Sequence, residues 1–193
     1  ISTGSVVTIR EELNAQSPPR PLHQNTLSQY CAEHFRFMPK DVLAACQTLY
    51  EKGLISYPRT DEDVYEADVL TQAQHTFNQL GKLNNKFSEA ISGIDYGLYQ
   101  PVFANGRERV IEEHSALFVT GIQPVLNKLS TIQVEVYTAI AMHQIAQFKQ
   151  DYTTSTTKLS IQAGNYRFDN EAVHVVARGW TENIEHSARA EST

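Results

Sequence analysis

The sequence predicts an α+β fold, mainly helical, in which a long helical insert separates β-forming segments. Three observations predict it. Apolar residues recur at helical spacing through Leu27, Tyr30, Cys31 and Phe35, then through Val42, Leu43, Cys46, Leu49 and Tyr50, and again through Val136, Ile140, Ile145 and Phe148. β-branched and alternating residues dominate from Tyr152 to Val176. A shorter alternating stretch, Gly4 to Leu13, sets Val7 and Ile9 against Thr8 and Arg10 on opposite sides.

Taken in order, the Gly4–Leu13 strand runs into Ser17-Pro18-Pro19-Arg20-Pro21, whose prolines break any regular element and suggest a hinge. A helix is expected from a cap at Asn25 or Thr26 to about Phe37. A second begins at Pro39, where proline suits the first turn, and stops at Gly53. Leu54 to Tyr57 then reads as extended, so the unit looks like a helix-turn-helix with a strand behind it. Asp61 to about Leu80 is expected to be helical with an acidic start, and Gly81 to Arg109, rich in Gly, Asn and Ser, mostly loop. After the helix from Ile132 to Phe148 come strands around Thr153–Thr157 with Leu159 and Ile161, around Tyr166 and Phe168, and over Val173–Val176. Gly179-Trp180 follows, and the polar tail Glu182–Thr193 is expected to fray. No internal repeat, heptad pattern or low-complexity tract interrupts this order.

With 193 residues, 41% apolar and 20% charged, the chain can bury one substantial core or two small ones, which excludes wholesale disorder. No apolar run approaches the roughly 18 residues that cross a bilayer, and Ile1-Ser2-Thr3-Gly4 lacks the basic and apolar regions of a signal peptide. A soluble, intracellular chain is expected. Cys31 and Cys46 fall on apolar helical positions and read as reduced core residues. The net charge of −6 argues against a protein that grips nucleic acid by bulk electrostatics. Residues 1–60 carry six basic against five acidic groups, a balance of +1, and residues 61–193 ten against seventeen, a balance of −7.

The densest chemistry lies in Gln47-Thr48-Leu49-Tyr50-Glu51-Lys52-Gly53-Leu54-Ile55-Ser56-Tyr57-Pro58-Arg59-Thr60-Asp61. Pro58 biases Tyr57 toward extended geometry, where residues two apart share a side, so Tyr57 and Arg59 should face one target. A phenol of ordinary pKa, ~10, needs a cation to become a nucleophile at neutral pH, and guanidinium matches phosphate bidentately. The pattern therefore suggests attack on a phosphodiester. The same residues also allow a structural arrangement, with Tyr57 packed under a turn and Arg59 paired to Asp61. Gln47 and Glu51, four apart, share a polar helix face directed toward Tyr57. His114 opens an apolar run and by itself marks only a boundary. The seven histidines and two cysteines show no metal-ligand spacing, and Gly81-Lys82 lacks the rest of a phosphate-binding loop.

From Pro18-Pro19 through Asp61 the chain resembles the type IA DNA topoisomerases, especially the bacterial topoisomerase III and plasmid-borne branch. The resemblance rests on Pro18-Pro19-x-Pro21-Leu22, Thr26-Leu27, Val42-Leu43 and the block Gln47 to Asp61. His114-Ser115-Ala116-Leu117-Phe118-Val119-Thr120-Gly121 is similar to the family's histidine motif, and Leu129-Ser130 to Tyr137, Ile145-Ala146-Gln147-Phe148 and Gly179-Trp180 extend the likeness over nearly the whole chain. Valine stands at 119 where the motif usually has proline, Glu62 where serine or cysteine is common, and Met142-His143 where an arginine pair is frequent.

The resemblance implies that Tyr57 forms a 5′-phosphotyrosyl link to single-stranded DNA and frees a 3′-hydroxyl, with religation needing no ATP. Arg59 would stabilise the transition state and His114 contact the scissile phosphate. Gln47, Glu51 and Asp61 would support the site. It further implies a winged-helix-like tyrosine domain at 21–149, inserted into part of a β-rich hinge domain at 1–20 and 150–193. Magnesium would be held by an acidic domain for which this sequence has no counterpart, so the isolated chain is expected to be inactive. DNA, chiefly single-stranded, and the remaining domains of the longer enzyme are the expected partners, in the bacterial cytoplasm at the nucleoid with no membrane role. The alternative is a non-catalytic winged-helix-like module that binds single-stranded DNA.

Overall fold

The structure, a computed structural model, describes residues 5–97, 115–182 and 184. They divide into two compact units, one formed by residues up to Pro18 with those from Gln150 onward, the other by Pro19–Lys149. The fold class is α+β, with five α-helices and one three-stranded antiparallel sheet among the described residues. No helix among the described residues is long and apolar enough to cross a membrane.

The first unit is the sheet. Its strands are β1 (Ser5–Gln16), β2 (Tyr152–Ala163) and β3 (Tyr166–Ala177), in the order β1-β2-β3 with both pairs antiparallel. Arg10 faces Lys158, which faces Glu171. The alternating segments expected after residue 152 fuse into one hairpin of two long strands, because Gly164 at φ +63 turns the chain within two residues. β1 likewise runs three residues past its expected end, carried by pairing of Asn14, Ala15 and Gln16 with Thr154, Thr153 and Tyr152. Trp180, buried just beyond β3, donates its indole N–H to the Gln16 carbonyl at 2.8 Å.

The second unit packs α1 (Gln24–Phe35), α2 (Pro39–Glu51), α3 (Ala67–Leu80), α4 (Asn85–Ala90) and α5 (Thr131–Ala146). α1 stops two residues short of the expected end because Arg36 turns left-handed, at φ 60, and its N–H returns to the Ala32 carbonyl at 3.2 Å. α2 ends as expected, with Gly53 at φ +69. α5 is buried on nearly every side, as its almost uninterrupted apolar sequence requires, and forms the centre against which α1 and α2 pack. Ser130 caps it, its hydroxyl accepting the Gln133 N–H at 3.4 Å while the Gln133 side chain accepts the Ser130 N–H at 3.0 Å.

Two expectations change here. Residues 61–66 are not helical, because tertiary partners claim them: the Ala116 N–H donates to the Val64 carbonyl at 2.9 Å, the Ser115 hydroxyl accepts the Glu66 N–H at 3.3 Å, and Arg20 pairs with Asp63 at 2.5 Å. The segment after Gly81 contains α4, started by the Asn84 side chain accepting the Phe87 N–H at 3.0 Å and held by burial of Phe87 and Ala90. The rest of that expected loop, from 98 to 109, lies outside the described residues, as does most of the tail after Glu182.

Candidate active site

The Tyr57 segment leaves α2 through Gly53 and is fastened on one side to the segment 115–121. The Ser56 N–H donates to the Phe118 carbonyl at 2.9 Å, and the Phe118 N–H donates back to the Ser56 hydroxyl at 3.1 Å. The Thr120 N–H donates to the Leu54 carbonyl at 3.2 Å, and its hydroxyl donates to the Gly53 carbonyl at 2.6 Å. Ile55 and Val119 form an isolated antiparallel bridge between the two, both fully buried. The expected strand behind the helices is thus a single bridge with flanking bonds.

Beyond Ile55 burial alternates. Pro58 and Thr60 are buried, whereas Tyr57 and Arg59 are exposed, so the phenol and the guanidinium emerge on the outer side of the extended segment. Tyr57 is 37% exposed and packs edge-on against Tyr50, with ring centroids 5.5 Å apart. Tyr50 belongs by spacing to the apolar stripe of α2, but it is 41% exposed and serves as the wall of this site. Arg59 pairs with no carboxylate among the described residues, which leaves its fork available to an anion.

Gln47 and Glu51 are joined, the amide donating to the carboxylate at 2.9 Å, one position along the helix from Tyr50. Asp61 is drawn to the start of α1, where the Asn25 amide donates to it at 3.4 Å, and the Gln24 N–H donates to the Thr60 carbonyl at 3.1 Å. His114 lies outside the described residues. The segment that follows it is nonetheless held from four directions: Ala116 by Val64, Leu117 by Leu22, Phe118 by Ser56, and Val119 by Gln144 of α5. Sequence reasoning missed Ser56, Gln144 and the role of Tyr50, and no local pattern distinguishes them from ordinary polar or stripe residues.

Among the described residues no group of three or more His, Cys, Asp or Glu side chains could hold a metal ion. Chemically, the site offers an exposed phenol beside an uncommitted guanidinium on a rigidly tied segment, an arrangement suited to a phosphate ester.

Comparison with known proteins gives the family. The family model described as DNA topoisomerase matches residues 1–193. DNA topoisomerase 1 of Pyrococcus horikoshii is 27% identical over 165 residues, covering 86% of this chain and 23% of that protein. DNA topoisomerase 3 of Vibrio cholerae is 25% identical over 177 residues, covering 91% of this chain and 27% of that protein. The chain thus spans about a quarter of the length of the curated relatives it matches. Full-length topoisomerase I of Thermotoga maritima shares the fold, with a TM-score of 0.66 over all of this chain and 31% of that one, at 18% identity. The chain belongs to the DNA topoisomerase family, the type IA enzymes that its tyrosine and histidine blocks resemble.

Proposed function

We propose that this chain is the strand-cleaving part of a type IA DNA topoisomerase, with Tyr57 as nucleophile. The phenol oxygen attacks a phosphorus of single-stranded DNA and the bond from phosphorus to the 3′ oxygen breaks. The phenolic proton is lost to solvent or a base, and the departing 3′ oxygen takes up a proton. The ester bond formed to tyrosine conserves the energy of the one broken, so the reverse attack by the 3′-hydroxyl reseals the strand without ATP.

Arg59 supplies positive charge to the phosphate oxygens as negative charge builds on them. His114 is assigned a contact to the same phosphate, and Gln47, Glu51 and Asp61 order the surroundings. Magnesium is left to an acidic domain of the longer enzyme, and no step is routed through it here. The helices α1 and α2 with the Ile55–Val119 bridge are read as a winged-helix-like DNA-binding unit. The observation that carries the reading is the exposure of Tyr57 and Arg59 on one side of a segment whose alternate residues are buried.

The test is a labelled single-stranded oligonucleotide incubated with magnesium and the full-length product of the gene, wild type beside Tyr57→Phe, and resolved on a denaturing gel. A protein-linked band in the wild type alone is expected. A wild type that binds the strand but forms no such band would point instead to a non-catalytic single-strand-binding module.

A further inference from the structure

We infer that Tyr50 is a positioning residue for strand cleavage, its ring holding the Tyr57 phenol in the rotamer that meets the phosphate; the inference rests on the function proposed above. The backbone around Tyr57 is already fixed. On one side the buried Pro58 restricts the residue before it, and on the other Ser56 is tied to Phe118 by both its N–H and its hydroxyl. Backbone bonds leave the side chain itself to be ordered. An aromatic ring on an exposed extended segment can turn among three staggered χ1 wells, and each well carries its hydroxyl to a different place.

Tyr50 supplies a restraint on that turning. Its ring lies edge-on to that of Tyr57, with centroids 5.5 Å apart and planes at 75°, the arrangement in which the positive edge of one ring meets the negative face of the other. A reversal of the chain makes the contact. Tyr50 stands in the last turn of α2, and its carbonyl accepts the Gly53 N–H at 2.8 Å. Gly53 at φ +69, with the Leu54 N–H donating to the Leu49 carbonyl at 2.9 Å, then turns the chain so that Tyr57 comes to lie beside the helix end.

Core packing does not account for Tyr50. Leu49 beside it is fully buried, whereas the Tyr50 ring is exposed, and among the described residues its hydroxyl meets no hydrogen-bond partner. A large ring held partly in water adds little to the core, but it covers one side of the Tyr57 ring. The ring and not the hydroxyl does the positioning, so phenylalanine can stand in for it and a small side chain cannot.

The experiment uses the full-length product of the gene with magnesium and a labelled single-stranded oligonucleotide. It measures the single-turnover rate of the protein-linked band at saturating strand for wild type, Tyr50→Ala and Tyr50→Phe, and the affinity of each for the strand in a Tyr57→Phe background. Tyr50→Ala is expected to slow cleavage by about three- to tenfold, as the phenol spreads over up to three wells, with affinity and melting temperature unchanged. Tyr50→Phe is expected to restore the rate. Cleavage by Tyr50→Ala at the wild-type rate would overturn the inference, as would Tyr50→Phe cleaving as slowly as Tyr50→Ala. A loss of rate matched by an equal loss of affinity would overturn it too, and make Tyr50 a contact to the strand. Each of these outcomes leaves the reading of Tyr57 standing, whereas a wild type that binds the strand and forms no band would remove both.

Discussion

The Gln144 side chain, in the interior of α5, accepts the backbone N–H of Val119 at 2.9 Å, with both residues shut off from solvent. An amide in the central helix thereby fixes the segment that carries the histidine block against the segment that carries Tyr57. Replacing Gln144 with leucine keeps the volume and orphans a buried donor, which costs about 1–3 kcal/mol. The melting temperature should fall by roughly 2–4 °C for each kcal/mol lost in a chain of this size, as read by circular dichroism. An unchanged melting temperature would mean that Val119 finds another acceptor.

His143, one residue earlier, should make stability depend on pH. Burial lowers its pKa from 6.5 to about 4, against a bond to the Ala139 carbonyl that works the other way, and His34 nearby lowers it further. The group is held neutral when folded, while the unfolded imidazole takes up a proton below about 6.5. Its contribution is therefore complete above that pH and is lost as pH falls toward 4, by about 3 kcal/mol over the window. Urea titrations from pH 4 to 7 should show a gap between wild type and His143→Phe that changes by that order; a constant gap would contradict the assignment.

The two cysteines should be inert in the native chain. Burial, helped by the charge of Glu135 at Cys31 and by Cys31 itself at Cys46, pushes both thiols up to about 12, so almost no thiolate exists at pH 8. Ellman's reagent should react with neither thiol in buffer and with both in urea. Rapid native reaction of either would place it at the surface.

In the sheet unit, Gly179 leaves the strands at φ +50 with the carbonyl oxygens of Gln150 and Asp151 where a β-carbon would sit. Alanine there meets both a steric block and a left-handed backbone that alone costs roughly 1–2 kcal/mol. Gly179→Ala should loosen the Trp180 anchor on Gln16, seen as a red shift of the emission of the chain's one tryptophan. An emission spectrum like that of the wild type would show that the turn can move.

Several of these features are legible along the chain because they depend on near neighbours. The stripes that bury Leu27, Cys31, Val42, Cys46 and Leu49 follow from helical period alone, and the shared outward side of Tyr57 and Arg59 follows from strand period and Pro58. Other features are not legible. Residues 61–66 have helix-compatible composition but are held out of a helix by Ser115, Ala116 and Arg20, and Tyr50 has stripe spacing but faces Tyr57.

The sequence by itself determined α1, α2, α5, most of α3, the strand-forming segments and the family, since periodicity, caps and motif blocks are properties of consecutive residues. Only the tertiary structure decided which segment grips the backbone around Tyr57. Leu22, Ser56, Val64 and Gln144 converge on residues 116–119 from four distant parts of the chain, and a hydrogen bond between remote residues leaves no local trace in the order of amino acids.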